Sequence, residues 1–256
     1  MEKKTVKIGG VQLGAGRCAV CIPVMGDSLE ALHMSAQRAK AAGADLIELR
    51  ADSLCAMPDA ALAQQMCACV RNAAPGLPLL FTLRTARDGG AGDADSAAYE
   101  ALLCALISVG KVACDAIDVE LSAGEDAFAR IAQAAKHARL AVIGSSHDFD
   151  KTPDEVEICS RLSAMQRLGA DVCKIAVMPH SRLDVISLMR AAAVSDEALS
   201  APVIAIAMGP LGVMTRVCGE AFGSCLTFGT AGQASAPGQI DAKQLRGILE
   251  VIHNSL

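Results

Sequence analysis

Tryptophan is absent from this 256-residue chain, and tyrosine occurs once, as Tyr99. No basic run with interleaved aromatics is present, and 28 acidic against 23 basic residues leave a net charge of −5. Both features argue against nucleic acid or an anionic membrane as partner. Long apolar runs are also missing: none approaches the ~20 residues that a membrane-spanning helix needs. The opening Met1-Glu2-Lys3-Lys4-Thr5 lacks the apolar core of a secretory signal. No interior Gly-, Pro- or Ser-rich linker marks a boundary. The expectation is one soluble, cytoplasmic domain over residues 1–256.

Cysteine is plentiful, with eleven residues scattered through apolar runs as small core residues. Cys18 and Cys21 form a C-x-x-C, but no second pair or nearby histidines complete a tetrahedral set. A structural role and reduced thiols are expected, with no metal.

Strand-like and helix-like patterns alternate along the chain. Residues 5–13 alternate around Gly9-Gly10, which predicts a hairpin before the main fold. Strands are then expected at 18–24, 45–50, 79–84, 116–121, 140–145, 171–178, 202–208 and 224–228. A helical pattern follows each of them. Ser28 and its acidic neighbours cap the first helix, and Thr152-Pro153-Asp154-Glu155 is a start signal with Thr152 at the cap. The segment after Ser181 is helical through Ala193, and a short helix covers 213–218. Eight strand–helix units imply a (β/α)8 barrel with the N-terminal hairpin closing its floor.

Such barrels carry their chemistry at the carboxyl ends of the strands. Glu48 and Arg50 end the second strand on one side, Arg84 ends the third, Glu120 the fourth and Met208 the seventh. The fifth runs into Ser145-Ser146-His147-Asp148, where His147 follows a buried strand and is the best general-base candidate. Lys174 lies within the apolar sixth strand and alternates with Val172, Ala176 and Met178. In a closed barrel that strand has no edge, so the amine faces the interior. Burial opposes its charged form and would make it nucleophilic. Two loops, 86–96 and 229–239, are glycine-rich. The second could close as a lid or bind phosphate, and Arg216 just upstream offers a forked donor for carboxylate or phosphate.

Several of these stretches together resemble type I 3-dehydroquinate dehydratase of the shikimate pathway. They are Ile47-Glu48-Leu49-Arg50, Phe81-Thr82-Leu83-Arg84, Ile117-Asp118-Val119-Glu120-Leu121, Ser146-His147-Asp148-Phe149, Lys174-Ile175-Ala176-Val177-Met178-Pro179, Phe222-Gly223-Ser224 and Gln233-Ala234-Ser235-Ala236-Pro237-Gly238-Gln239-Ile240. The resemblance spans nearly the whole chain. It implies a homodimeric barrel that uses no metal or organic cofactor and converts the small molecule 3-dehydroquinate to 3-dehydroshikimate. It further implies that Lys174 forms a Schiff base, aided by nearby Arg or His charge, and that His147 acts as general acid and base. Arg216 would hold the substrate carboxylate, with Ser235 and Gln239 in the lid. Glu48, Arg50 and Arg84 would line the hydroxyl-binding side, and Met208 and Phe228 the apolar walls.

Three departures from the family pattern stand out. Asp88 replaces the usual Glu that orients the histidine, a side chain shorter by ~1.3 Å, so that loop movement or a bridging water would have to compensate. Ile206 replaces one of two methionines, and Gly209-Pro210-Leu211-Gly212 replaces a more polar segment. Two other readings remain open from the residues: a class I aldolase sharing the barrel and lysine, and a catalytically silent metabolite-binding barrel.

Overall fold

Two-residue alternation of apolar side chains builds the strands, and short acidic or hydroxyl caps start most of the helices between them. The computed structural model describes residues 5–232 and 234–256. Met1–Lys4 of the N-terminal reading and Gln233 of the lid motif lie outside the described residues. The chain opens with an antiparallel hairpin, β1 (Val6–Ile8) and β2 (Val11–Leu13). It continues through β3 (Ala19–Val24), α1 (Leu29–Ala41), β4 (Leu46–Arg50), α2 (Ala60–Ala73), β5 (Leu79–Thr82), α3 (Ser96–Val109), β6 (Ala116–Glu120) and α4 (Glu125–His137). The second half runs β7 (Ala141–Asp148), α5 (Glu155–Arg167), β8 (Val172–Val177), α6 (Arg182–Ala198), β9 (Val203–Ala207), α7 (Val213–Val217), β10 (Leu226–Thr230), β11 (Ile240–Asp241) and α8 (Ala242–His253).

The parallel sheet runs β10-β3-β4-β5-β6-β7-β8-β9, with the short β11 beside β10. It curls until β9 reaches β10 again. That seam is held by a Val203–Ser224 bridge, by the Cys225 amide donating to Val203 O at 2.8 Å, and by the Ala205 amide donating to Ser224 Oγ at 3.2 Å. The (β/α)8 barrel is therefore closed more thinly there than between its other strands.

Outward residues such as Ile47, Leu49, Phe81, Ile117 and Val119 pack under the helices, while inward ones form a second cluster. Ile8 and Leu13 of the hairpin join that inner cluster with Leu46, Leu80, Val172, Ile204 and Leu226, so the hairpin plugs the floor. Two residues further along β4 to β8 the interior changes character, while Ile206 of β9 and Phe228 of β10 stay apolar. Glu48, Thr82, Asp118, Ser145 and Lys174 take the inward positions, all buried. Cys18, just before β3, and Cys21 within it fall in the outer and inner clusters respectively, so their thiols do not converge on one metal.

Several boundaries differ from the sequence expectation. β7 does not stop at Ser145; it continues to Asp148 because β8 pairs with it through Asp148–Val177. β5 ends at Thr82 instead of Arg84, because the Arg84 amide turns to Asp52 Oδ1 and its carbonyl to the Gly92 amide. Asp154, not Thr152, caps α5; the Thr152 hydroxyl instead donates to Met178 O. α6 runs five residues past Ala193 to Ala198, started by a capping box between Ser181 and Asp184. The eighth barrel strand begins at Leu226, two residues after the expected Ser224. Among the described residues, no helix is long and apolar enough to cross a membrane.

Truncating a floor residue tests the plug. Leu13→Ala should lower the unfolding free energy by ~2–5 kcal/mol, read from denaturant midpoints. An unchanged midpoint would mean that the hairpin contributes nothing to barrel stability.

Candidate active site

At the carboxyl ends of the strands a cavity opens between the barrel mouth and the loop after β10. Glu48, Arg50, Arg84, Asp88, His147, Lys174, Met208, Arg216, Phe228, Ser235 and Gln239 all line it, drawn from six strands or the residues just after them, from two loops and from α7. Gly89, Phe149, Ala176, Ile206 and Ala236 complete the wall.

Lys174 sits in the middle of β8, with its side chain almost wholly covered. Its Nζ lies 3.8 Å from Glu48 Oε1 and 3.8 Å from Asp118 Oδ2, and 4.4 Å from the centroid of the Phe228 ring. The expected cationic surroundings are thus not its immediate neighbours; two carboxylates and an aromatic face are. The reason is strand order, because β4 and β6 both present acids at the level of the amine.

His147 lies inside β7, opposite Ala176, and not in a loop after it. Asp88 Oδ2 accepts from the His147 amide at 3.1 Å and lies 3.0 Å from Nδ1. A carboxylate only accepts, so Nδ1 carries the proton and Nε2 is left as the basic atom. Burial, and then the charge of Arg84, push the imidazole down to about 3, against the pull of Asp88. The ring is therefore neutral in neutral solution. Burial alone would raise the Asp88 carboxyl; its hydrogen bond to His147 and the charge of Arg84 bring it below the usual range.

The shorter Asp88 reaches His147 directly because its loop is drawn in. The Ala91 amide donates to Asp52 Oδ2 at 3.1 Å, and the Gly90 and Asp88 amides bond back to Thr85 O. Gly89 is left-handed, and a Cβ there would meet the Phe149 ring at 2.1 Å, so the turn admits only glycine beneath that ring. Phe149 in turn stacks beside His147, with centroids 6.5 Å apart. Asp52 also grips Arg50 through Nε at 2.9 Å and Nη2 at 2.7 Å, leaving Nη1 as the donor for a ligand.

Arg84 is more committed than its place in the cavity wall suggests. Nη1 donates to Glu120 at 2.7 Å and to Ser145 at 3.0 Å, while Nη2 pairs with Asp118 at 2.9 Å. Arg216 is the opposite case. It is buried with no carboxylate partner among the described residues; Nη2 donates to Pro237 O at 3.0 Å, and Nε has no acceptor. Burial pushes it down to about 10, so it remains a cation awaiting an anion.

The loop after β10 sits over this cation. Gln239 and Ser235 bond to each other twice, each time at 2.9 Å. Pro237 O also accepts from the Gly209 amide at 3.1 Å, and a Cβ on the left-handed Gly238 would strike Gly209 O at 2.4 Å. The Gly209-Pro210-Leu211-Gly212 segment is thus the seat on which the loop rests.

Sequence reasoning assigned no role to Asp52, Asp118, Ser145 or Phe149. A two-residue offset was the available signal: Asp52 follows Arg50 by two, and Asp118 precedes Glu120 by two on an otherwise apolar strand.

A parallel barrel holding a buried amine, a neutral imidazole and an unpaired guanidinium at one mouth belongs to the class that can activate a carbonyl compound for proton removal. A family model, type I 3-dehydroquinase, matches residues 20–256. A 3-dehydroquinate dehydratase of Bacillus licheniformis is 40% identical over 258 residues, covering 99% of this chain and all of that protein. The crystal structure of a type I 3-dehydroquinate dehydratase from Clostridium difficile, solved with covalently modified comenic acid, superposes with a TM-score of 0.94 at 37% identity; the match covers 99% of this chain and 100% of that one. A 3-dehydroquinate dehydratase from Geobacillus kaustophilus gives 0.93 at 33%, covering 99% and 98%. The chain belongs to the type I 3-dehydroquinase family.

The tautomer and charge of His147 can be read directly. By nitrogen and carbon NMR the ring should stay neutral, protonated on Nδ1, from about pH 8 down to about pH 5. A titration midpoint near the ordinary value of about 6.5 would contradict the burial argument. Asp88→Asn, which removes the negative charge facing Nδ1–H, should cut turnover by about 10²-fold.

Proposed function

We propose that this chain removes water from 3-dehydroquinate to give 3-dehydroshikimate, a hydro-lyase reaction (EC 4.2.1.10) of the shikimate pathway, through a Schiff base on Lys174. The observation that carries the reading is the placement of the Lys174 amine in the wall of a cavity that also presents a neutral His147 and an unpaired Arg216. Family membership weighs against the aldolase and the silent barrel. The substrate is a monoanion, and its carboxylate answers Arg216, the cation of the site that lacks an acid among the described residues. With the carboxylate on Arg216, Glu48 and the free Nη1 of Arg50 are left for hydroxyls on the opposite side, and Met208 and Phe228 for the ring faces.

The chemistry follows from the positions. The amine adds to the ketone at C3, and loss of one water leaves a protonated iminium. Nε2 of His147 takes the C2 proton, and that bonding pair moves into a C2=C3 double bond as the nitrogen is neutralised. The enamine then expels the C1 hydroxyl, which leaves as water with the proton that His147 returns, and the iminium re-forms. Hydrolysis by one water frees the lysine and the product. Asp88 stabilises the imidazolium formed in between, at hydrogen-bond distance from Nδ1.

Arg84 acts mainly through Asp118 and Glu120, holding the floor of the site, with less freedom for the substrate than the resemblance implied. Seating of the 229–239 loop by Ser235, Pro237 and Gln239 would exclude solvent from the cavity. We also read the chain as one cytoplasmic domain that forms a homodimer; the exposed Leu183, Ile186 and Val194 on α6 offer apolar area for a second copy.

Borohydride added during turnover of 3-dehydroquinate should fix the ligand to Lys174, read by peptide mass. An unmodified Lys174 would sink the mechanism. Lys174→Ala should abolish turnover. His147→Ala should still form the reducible adduct while slowing turnover by about 10²–10⁴-fold; normal turnover in that variant would remove His147 from the proton transfers.

A further inference from the structure

Asp118 has no place in the steps above, although it is a buried anion beside the reacting nitrogen. Its carboxylate is inaccessible to solvent and lies below the cavity wall. Oδ1 accepts from the Ser145 hydroxyl at 2.6 Å, which fixes the group on β6. Oδ2 is 2.9 Å from Arg84 Nη2 and 3.8 Å from Lys174 Nζ. Neither contact is aligned as a hydrogen bond, so Oδ2 is left as an unsatisfied acceptor pointed between two cations.

A charge count assigns it to the lysine. Arg84 brings one positive charge to two carboxylates, Asp118 and Glu120. Glu120 receives Arg84 Nη1 at 2.7 Å and both donors of Thr85, at 2.9 and 2.5 Å. One negative charge of the trio is left over, and Lys174 is the cation next to it. Glu48 is as close to the amine, but it lines the cavity, where ligand hydroxyls compete for it, and it already accepts from Thr82 at 3.0 Å.

We propose that Asp118 is the fixed counterion of the iminium on Lys174, holding the imine nitrogen protonated before proton removal and again before hydrolysis. The proposal rests on Lys174 being the imine-forming lysine. Condensation replaces an ammonium by an iminium of equal charge at the same place, so one immobile anion serves both states. A neutral imine is a poor electron sink, because the pair released at C2 then has no positive nitrogen to neutralise. The same fixed charge favours the later half of the reaction, in which loss of the C1 hydroxyl restores the iminium.

The other charged or titratable groups facing this point are Cys21 from β3, Glu48 from β4, Arg84 beyond β5, Glu120 from β6 and His147 from β7. Burial, and then Glu48, hold the Cys21 thiol protonated. His147 is neutral, and Glu120 is bound by Arg84 and Thr85. Burial would raise the Asp118 carboxyl, but Arg84 and then Lys174 bring it below its usual range, so it is anionic at working pH.

The test uses the full chain, 3-dehydroquinate, and the isosteric Asp118→Asn. Both proteins should be trapped at Lys174 by borohydride. In the Asn variant the alkaline limb of kcat should move down by about one to three pH units, the usual effect of an opposite charge at this range. Trapping in both with an unmoved limb overturns the counterion and leaves the Schiff base standing; no trapping in the wild type overturns both. Should Asp118→Asn fail to fold, wild-type protein labelled with 15N at lysine decides. Its imine nitrogen should give a protonated signal from about pH 6 to about pH 9, and a neutral-imine signal within that range overturns the proposal.

Discussion

Everything at the mouth of this barrel depends on a layer of ions kept out of water. Arg84 is clamped by Asp118 and Glu120, with Lys174 beside them and Ser145 and Thr85 supplying further donors. Desolvating such a layer costs several kcal/mol per ion before any pairing is counted, and apolar side chains of similar volume would stabilise a barrel at least as well. Its persistence in an otherwise apolar interior is therefore a matter of chemistry. The layer is possible because the floor beneath is sealed by the hairpin and because strand alternation brings acids from β4 and β6 to the level of a base from β8.

The cations of the site divide into two kinds. Arg50 and Arg84 arrive already paired, through Asp52 and through Asp118 and Glu120, and so are held in place with their charge largely spent. Among the described residues Arg216 is left unpaired at the other side, with only backbone carbonyls as acceptors. The cavity is consequently polarised: acid-rich around Lys174, positive beneath the 229–239 loop. A ligand with a carboxylate at one end and hydroxyls at the other can enter productively in one orientation.

Much of this was legible from periodicity alone. Eight apolar runs separated by helical patterns specify the barrel, and Val172, Lys174 and Ala176 alternate clearly enough to aim the amine inward. Less legible were features set by contacts across the sheet. Ser145-Ser146-His147-Asp148 is too polar to read as strand, yet β8 continues the ladder and carries His147 with it. The immediate partners of Lys174 come from strands 126 and 56 residues away in sequence, at Glu48 and Asp118, and no local pattern encodes them. The shortened Asp88 reads as a loss, because the pull of Asp52 on its loop is invisible until the backbone is traced. The α5 start was misplaced for a simpler reason: two residues capable of capping lie two apart, and the tertiary contact of Thr152 with Met178 decided between them.

The sealed floor has a consequence for traffic. With Ile8 and Leu13 filling the bottom, the described barrel is a vessel with a single opening, and the 229–239 loop stands in it. A dehydration run through an imine handles three waters per cycle: two are released, and one is taken up to free the product. All of them, with reactant and product, share one passage. The water shed when the imine forms is thus already inside when hydrolysis requires one, and retention behind the loop lets a single molecule serve both ends of the cycle.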